Sequence, residues 1–427
     1  MFASVLQKTD NKLKNTPKYL LITCTILFLG FTQSWSQTPV EMYGQLSVKG
    51  NKIVDKNGDP VQLRGMSLFW SQWIPKYYNA KAIKWLKDDW CLNVIRASMA
   101  ADSANSGYAR SASIAETEKN KVITVVDAAI ELGIYVIIDF HSHNAHFPVN
   151  RAAARTFFAE MSAKYKDVPN VIYEPWNEPL NVSWNNVIKP YHTEIIDIIR
   201  ANDPDNIIVC GSRSWSQRVD EAANSPIDRT NIAYTLHFYA NTHKQELRNY
   251  ADDALYDGIA LFVTEYGTCD ASGNGGYNAA ETKKWWAFLD ANKISYCNWS
   301  VADKVETASV LMPNADKNGN WAASDLTESG TLVKADMVAK CTNPTGINDD
   351  NVAKNKTNAY PNPFVNTISI STEGDFDYSI IDFSGKVVSN GNANNQVALG
   401  DNLPVGMYLI KLTKGKTTEY IKATKSN

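Results

Sequence analysis

The sequence predicts a closed (β/α)8 barrel followed by a small all-β domain, and three observations carry that expectation. Eight short runs rich in β-branched and aromatic residues alternate with helical patterns between Met42 and Lys340. Polar side chains recur where those runs stop, while their interiors are Val, Ile, Leu and Ala. Beyond Lys340 the chain turns polar, then breaks into short alternating segments separated by Gly, Asn and Asp.

Residues 46–49 and 52–55, joined around Gly50-Asn51, read as an N-terminal hairpin, with Asn57-Gly58 turning into the next strand. The parallel strands are expected at 61–66, 92–97, 135–140, 171–175, 207–210, 232–237, 260–265 and 295–299. Helical spacing follows at 119–132, which stops at Gly133, and at 151–164, 187–200, 246–256 and 281–292. The helix signal is weakest between Cys210 and Ile232. An open doubly wound sheet would share this alternation, but the first turn carries no glycine-rich phosphate fingerprint.

The two ends suggest export. Lys8, Lys12, Lys14 and Lys18 precede an apolar run at 19–31, and Ser34-Trp35-Ser36 offers a small-x-small cleavage site, so residues 1–36 read as a signal peptide. Cys24 inside that run admits a lipid-anchored alternative. Cleavage leaves Cys91, Cys210, Cys269, Cys297 and Cys341, an odd number that argues against a full disulfide framework and leaves room for one bridge. The expected divisions are then a catalytic domain at 37–341, a linker at 342–356 and a β-domain, read as an Ig-like sandwich, at 357–427. A hydrophobic fraction of 44% and a charged fraction of 20% describe a globular protein. A net charge of -3 with no basic stripe argues against nucleic acid as a partner. The 12 Trp and 20 Tyr exceed what a core needs and suit a protein that stacks flat apolar faces, such as those of sugar rings.

In a (β/α)8 barrel the active site forms at the C-terminal strand ends. Read in order, those ends offer Arg64 with Ser67, Arg96, His141, Asn177-Glu178, Gly211-Ser212, His237 with Tyr239, Glu265 and Trp299. Two glutamates from distant strands converging on one mouth point to glycosidic-bond hydrolysis, which uses two carboxylates and no cofactor. His141-x-His143-x-x-His146 raises a rival, a zinc centre that activates water. Such a centre would want further His or Asp on later strands, and those ends supply Glu, Tyr and Trp. A second rival is a non-catalytic glycan-binding protein, which would keep the aromatic platforms and lose a carboxylate.

The segments Gly44-Gln45-Leu46, Leu63-Arg64-Gly65-Met66-Ser67, Asn93-Val94-Ile95-Arg96-Ala97, Ile138-Asp139-Phe140-His141, Trp176-Asn177-Glu178-Pro179, His237-Phe238-Tyr239, Thr264-Glu265-Tyr266-Gly267 and Asn298-Trp299-Ser300 fall in order on successive strands. Together they resemble glycoside hydrolase family 5, in its endo-β-1,4-glucanase branch. The resemblance implies a β-1,4-linked polysaccharide substrate, no cofactor, no metal, a monomer, and a retaining double displacement. Glu178 would be the acid/base, protonated at first, and Glu265 the ionised nucleophile, with Arg96 and Tyr239 aiming it. Asn177 would reach the sugar 2-hydroxyl, and His141 and His237 would serve sugar hydroxyls or the acid/base. Trp299 would floor the sugar at the cut, with Trp73 and Trp215 as platforms on either side. Ala271, Ser272, Lys304 and Glu306 stand at substrate-binding positions. The chain departs from the branch at Phe69, where histidine is common, at Ala100, where tyrosine is common, and at Tyr266, where tryptophan is usual.

At the other end, Tyr360-Pro361-Asn362-Pro363-Phe364, Asp382-Phe383-Ser384-Gly385-Lys386-Val387 and Leu403-Pro404-Val405-Gly406-Met407-Tyr408 resemble the C-terminal sorting domain of type IX secretion. That resemblance implies the type IX machinery as a partner and a protein released or held at the outer cell surface. An accessory β-domain that binds polysaccharide is the alternative.

Overall fold

The computed structural model describes residues 37–341, 357–382, 386–415 and 417–426. The proposed signal peptide, the linker and Phe383-Ser384-Gly385 lie outside the described residues. The chain divides into two compact units between residues 345 and 346.

The first unit opens on a hairpin, β1 (Ser47–Lys49) and β2 (Lys52–Val54), turned at Gly50, whose φ of 60° is one that a Cβ would oppose. Eight strands then close a parallel barrel: β3 (Arg64–Leu68), β4 (Val94–Ala100), β5 (Tyr135–His141), β6 (Val171–Glu174), β7 (Ile208–Cys210), β8 (Ile232–Tyr239), β9 (Ala260–Gly267) and β10 (Ser295–Val301). Each pairs with the next in sequence, and β10 returns to β3. Because every barrel strand is covered on both faces, their burial is nearly unbroken and their sequences read as apolar runs.

The crossover helices include Ala80–Trp90, Ala112–Leu132, Pro148–Tyr165, Lys189–Arg200, Gln245–Tyr256, Ala279–Asn292 and Glu328–Ala339. Only the short helix Val219–Asn224 fills much of the stretch between β7 and β8, where the sequence signal is faint. The main core lies between strands and helices. A second core fills the barrel's floor, where Leu46 and Ile53 of the hairpin meet Leu63, Val94, Ile137, Ile172, Val209 and Phe262. The hairpin therefore plugs the N-terminal end and leaves the C-terminal end as the mouth. At the plugged end Cys91 and Cys341 form a disulfide across a separation of 250 residues, while Cys210, Cys269 and Cys297 are free and buried.

The second unit is antiparallel: β11 (Asn358–Tyr360), β12 (Ile368–Asp382), β13 (Val387–Leu399), β14 (Gly406–Lys414) and β15 (Thr417–Lys425). Some of the short alternating segments merge: β12 is one strand, whose register against β13 shifts between Ser371 and Asp375, beside Gly374 at φ 84°. β13 likewise runs unbroken from Val387 to Leu399. Phe364, Ile368, Ile370, Phe376, Ile380, Ile410 and Leu412 make this unit's own core.

Candidate active site

The mouth of the barrel is organised around one buried arginine. Arg96, in the middle of β4, is fully buried and donates through Nη1 to Oε2 of Glu265 at 2.9 Å. Its Nε donates to Oε2 of Glu174 at 2.7 Å, and its Nη2 lies 3.0 Å from Oδ2 of Asp139 and also donates to Asn177 Oδ1. One fixed planar cation thus locks side chains from β5, β6, the loop after β6, and β9. Burial opposes its charge, but Asp139, Glu174 and Glu265 together hold the guanidinium well above its ordinary value.

Glu265 also accepts from the Tyr239 hydroxyl at 2.7 Å. Burial, and then the charge of Glu265, push the Tyr239 phenol far up, so it stays a donor. Glu178 follows β6 by four residues and stands between two imidazoles: His237 Nδ1 is 2.9 Å from Oε1 and His143 Nε2 is 3.1 Å from Oε2. Ligand atoms of Glu178, His237 and Glu265 all lie within 4.8 Å of one another, so the two glutamates face each other across a gap the size of one reacting centre.

A β-bulge makes this crowding achievable. Between Thr235/Phe262 and His237/Glu265 the register of β9 against β8 advances three residues for two, and β10 records the same extra residue on its side. In a regular strand Thr264 and Glu265 would point to opposite faces. The extra residue turns both towards the mouth, Thr264 reaching Glu174 Oε1 at 2.7 Å while Glu265 reaches Arg96.

The electrostatics divide the groups. Burial pushes Asp139 up to about 7 against the pull of Arg96, and raises Glu174 in the same way. Burial also pushes Glu178 up, but the hydrogen bonds from His143 and His237 outweigh it and hold the carboxyl below its usual range. Both imidazoles are raised correspondingly, burial being outweighed by their contacts with Glu178. His141 is driven far down by burial and by Arg96, so its ring is neutral.

The aromatic groups line the rim. Trp299 is only 5% exposed, stacked on His141 at 5.2 Å and 5° and tilted against Phe69 at 5.1 Å. Trp73 and Trp215 are exposed by 57% and 46%. Trp215 projects from Ser214-Trp215-Ser216, three consecutive left-handed residues with φ of 58°, 56° and 57°. This costly turn grips the Glu178 loop: Trp215 N–H donates to Pro179 O at 2.9 Å and Ser216 Oγ to Asn177 O at 2.7 Å. Lys304 pairs with the largely buried Glu306 at 2.5 Å and lies over the Phe69 ring. Ala271 and Ser272 are exposed in the loop after β9, which packs on this segment through Ala308 N–H to Gly273 O at 2.9 Å.

Three sequence expectations need correction. Arg64 begins β3, far from the mouth, and pairs with Asp290 because its strand starts there instead of ending there. Of the two roles expected for His141, contact with the acid/base is the one not seen: its Nδ1 meets Asp139 Oδ2 at 2.6 Å, since alternate residues of one strand share a face. The second imidazole on Glu178, beside His237, is His143, which the sequence offered only as a possible metal ligand. The spaced histidines do not converge: His146 stacks on Trp176, and among the described residues the ligand-like cluster is Glu178, His237 and Glu265. Asp139, Glu174, His143 and Thr264 were not singled out as carboxylate partners, although Glu174 is the true last residue of β6.

Comparison with known proteins agrees with this architecture. The cellulase family, glycosyl hydrolase family 5, matches residues 54–305, and the secretion system C-terminal sorting domain matches residues 358–425. Endoglucanase N of Pectobacterium atrosepticum is 44% identical over 321 residues, covering 74% of this chain and 71% of that protein. Endoglucanase Z of Dickeya dadantii is 47% identical over 332 residues, covering 76% and 74%. A solved structure from Cytophaga hutchinsonii is 59% identical, with a TM-score of 0.69, covering 71% of this chain and 98% of that one. The C-terminal sorting domain marks the chain for export, to be secreted or attached at the cell surface. With its closed barrel, its facing glutamates and these matches, the chain belongs to glycosyl hydrolase family 5 and is a glycoside hydrolase.

Proposed function

We propose that the protein is a retaining endo-β-1,4-glucanase, with cellulose or a related β-glucan as its substrate. The observation that carries this reading is the spacing of the carboxylates. Oxygens of Glu178 and Glu265 lie within 4.8 Å, which fits the short separation of retaining enzymes, about 5–5.5 Å, and is too close for the water of an inverting site, about 6.5–9.5 Å. The relatives' own names, endoglucanases, support the substrate class.

Glu265 is the nucleophile. It attacks the anomeric carbon and forms a glycosyl ester, aimed by Arg96 and Tyr239. Glu178 delivers a proton to the departing oxygen and then takes one from the incoming water. The contacts of Glu178 refine the first step: the proton is shared with His237 along the 2.9 Å Nδ1···Oε1 line and passes through Glu178 as the bond breaks. Esterification removes the charge of Glu265, which helps hold His237 protonated, and so favours Glu178 as a base in the second step. Asn177 keeps Nδ2 without a protein partner and is the donor for the sugar 2-hydroxyl. Trp299 borders the sugar at the cut, Trp73 and Trp215 extend the binding surface on either side, and Ala271, Ser272, Lys304 and Glu306 form its further rim. Residues 1–36 act as the signal peptide and the β-domain engages the type IX secretion machinery.

Hydrolysis of soluble β-glucan followed by proton NMR tests this directly. Newly formed reducing ends should appear first as the β-anomer, and first-formed α-anomer would refute retention. Run in parallel on cellulose, mixed-linkage glucan, xyloglucan and mannan, the assay should favour an unbranched β-glucan; preference for mannan or xyloglucan would overturn the substrate.

A further inference from the structure

We propose that Thr264 is a positioning residue that keeps the proton of His237 on Nε2, so that the proton delivered by Glu178 is the one held between His237 Nδ1 and Glu178 Oε1. The inference rests on the acid/base role of Glu178 and adds the device behind it.

The argument is a count of donors. The Thr264 hydroxyl has one hydrogen and two acceptor positions. Its Oγ1 meets Glu174 Oε1 at 2.7 Å, His237 Nε2 at 2.9 Å and the Thr235 hydroxyl. Glu174 is the acceptor in the first of these contacts, and the Arg96 fork, Nε on Oε2 at 2.7 Å and Nη2 on Oε1 at 3.3 Å, favours its accepting, ionised form. Thr264 therefore spends its only hydrogen on Glu174. Its acceptor positions then take the Thr235 O–H and the His237 Nε2–H, and every member is satisfied.

The consequence falls on the other ring nitrogen. With Nε2 committed as a donor, the neutral ring presents a lone pair at Nδ1, aimed at Glu178 Oε1. One proton can sit on either side of that contact. When it leaves, the Glu178 O–H bond breaks, the proton goes to the glycosidic oxygen and the C–O electron pair stays with that oxygen. Without Thr264 the neutral ring is free to carry its hydrogen on Nδ1 and donate it to a carboxylate, which leaves Glu178 with no proton to give. The bulge in β9 acquires a role here, since it places Thr264 in the same pocket as Glu265. The chain Glu178–His237–Thr264–Glu174–Arg96–Glu265 links the two proposed catalytic carboxylates through the barrel interior.

The test compares full-length wild type, Thr264→Val, Thr264→Ser and Glu178→Gln on soluble β-glucan and on 2,4-dinitrophenyl β-cellobioside, whose leaving group departs without a proton. In kcat/KM, which reports ester formation and is the quantity compared for every variant, Thr264→Val should lose about 100-fold on the glucan, the lower end of a general-acid contribution, and stay within about threefold of wild type on the aryl substrate. Thr264→Ser should restore glucan turnover. Equal losses on both substrates, or none on the glucan, overturn the proposal. Glu178→Gln keeps the two readings apart: wild-type glucan turnover in that variant defeats the acid/base assignment, whereas selective loss there without selective loss in Thr264→Val defeats only this inference. Should Thr264→Val not fold, nitrogen-15 NMR of wild-type His237 decides. Read above the pH at which the ring loses its second proton, a neutral ring protonated at Nε2 supports the proposal, and one protonated at Nδ1 overturns it.

Discussion

Arg96 donates from Nη1 to Oε2 of Glu265 at 2.9 Å while its Nε holds Glu174 at 2.7 Å, so a single guanidinium fixes the distance between a proposed nucleophile and the strand that leads to the proposed acid. A lysine ammonium is a point donor and cannot span both. Arg96→Lys should therefore lower kcat on β-glucan by about 10²- to 10³-fold, as loss of a preorganised donor does. It should also destabilise the barrel by about 3–5 kcal/mol, because buried carboxylates lose their partner. Steady-state kinetics and urea unfolding check the two parts, and near-wild-type values for both would show that the fork is dispensable.

Asp139 gives a stability effect with a definite sign. Its pKa rises from 3.8 to about 7 in the fold, chiefly through burial, so the folded state holds a proton that the unfolded chain has released. That contribution is complete below the unfolded value and is lost as pH rises through about 7. Asp139→Asn cannot ionise. Its Tm relative to wild type should improve steadily between about pH 4 and 7, whatever its absolute offset. Thermal melts across that range check this, and a constant offset would place the proton elsewhere.

The Cys91–Cys341 bridge closes a separation of 250 residues at the end of the barrel opposite the mouth. Such a cross-link restricts the unfolded chain and typically contributes about 2–4 kcal/mol. Cys91→Ser with Cys341→Ser should lower Tm by several degrees while kcat at 25 °C stays at the wild-type level. A fall in kcat without a change in Tm would tie the bridge to the site instead.

The exposed platforms should act on binding and not on chemistry. Trp73→Ala and Trp215→Ala each remove one stacking face, an effect of about 0.5–1.5 kcal/mol, or roughly a 2- to 10-fold rise in KM for a long glucan. Both side chains are about half exposed, so Tm should hardly move. Because the Trp215 backbone grips the Glu178 loop while its ring faces solvent, a kcat loss in Trp215→Ala would mean that ring and turn are coupled.

Much of this architecture was legible because it obeys simple periodicities. All eight barrel strands begin within about three residues of where apolar runs place them, since strands buried on both faces must be apolar throughout. The helix Glu328–Ala339 was harder to see, because Ser329 and Gly330 share its buried face with Val333 and Met337 and thin the apolar stripe. At the site, residues lying at a strand end, such as Glu265 and Tyr239, were readable from position alone. Thr264 was not, because alternation sends it away from Glu265 and only the bulge brings it back. Asp139 and Glu174 were hidden for a related reason. Their significance is a shared grip on Arg96, a contact among three strands that no local pattern encodes.

The central claim is that Glu265 becomes covalently attached to sugar while Glu178 handles the proton. Mass spectrometry after incubation with 2,4-dinitrophenyl 2-deoxy-2-fluoro-β-cellobioside tests it most directly, because the fluorine slows breakdown of the ester more than its formation. The account expects one fluorocellobiosyl group per protein, mapped to the peptide containing Glu265 and absent from Glu265→Gln. A label on any other residue, or turnover of the reagent with no label at all, would contradict it.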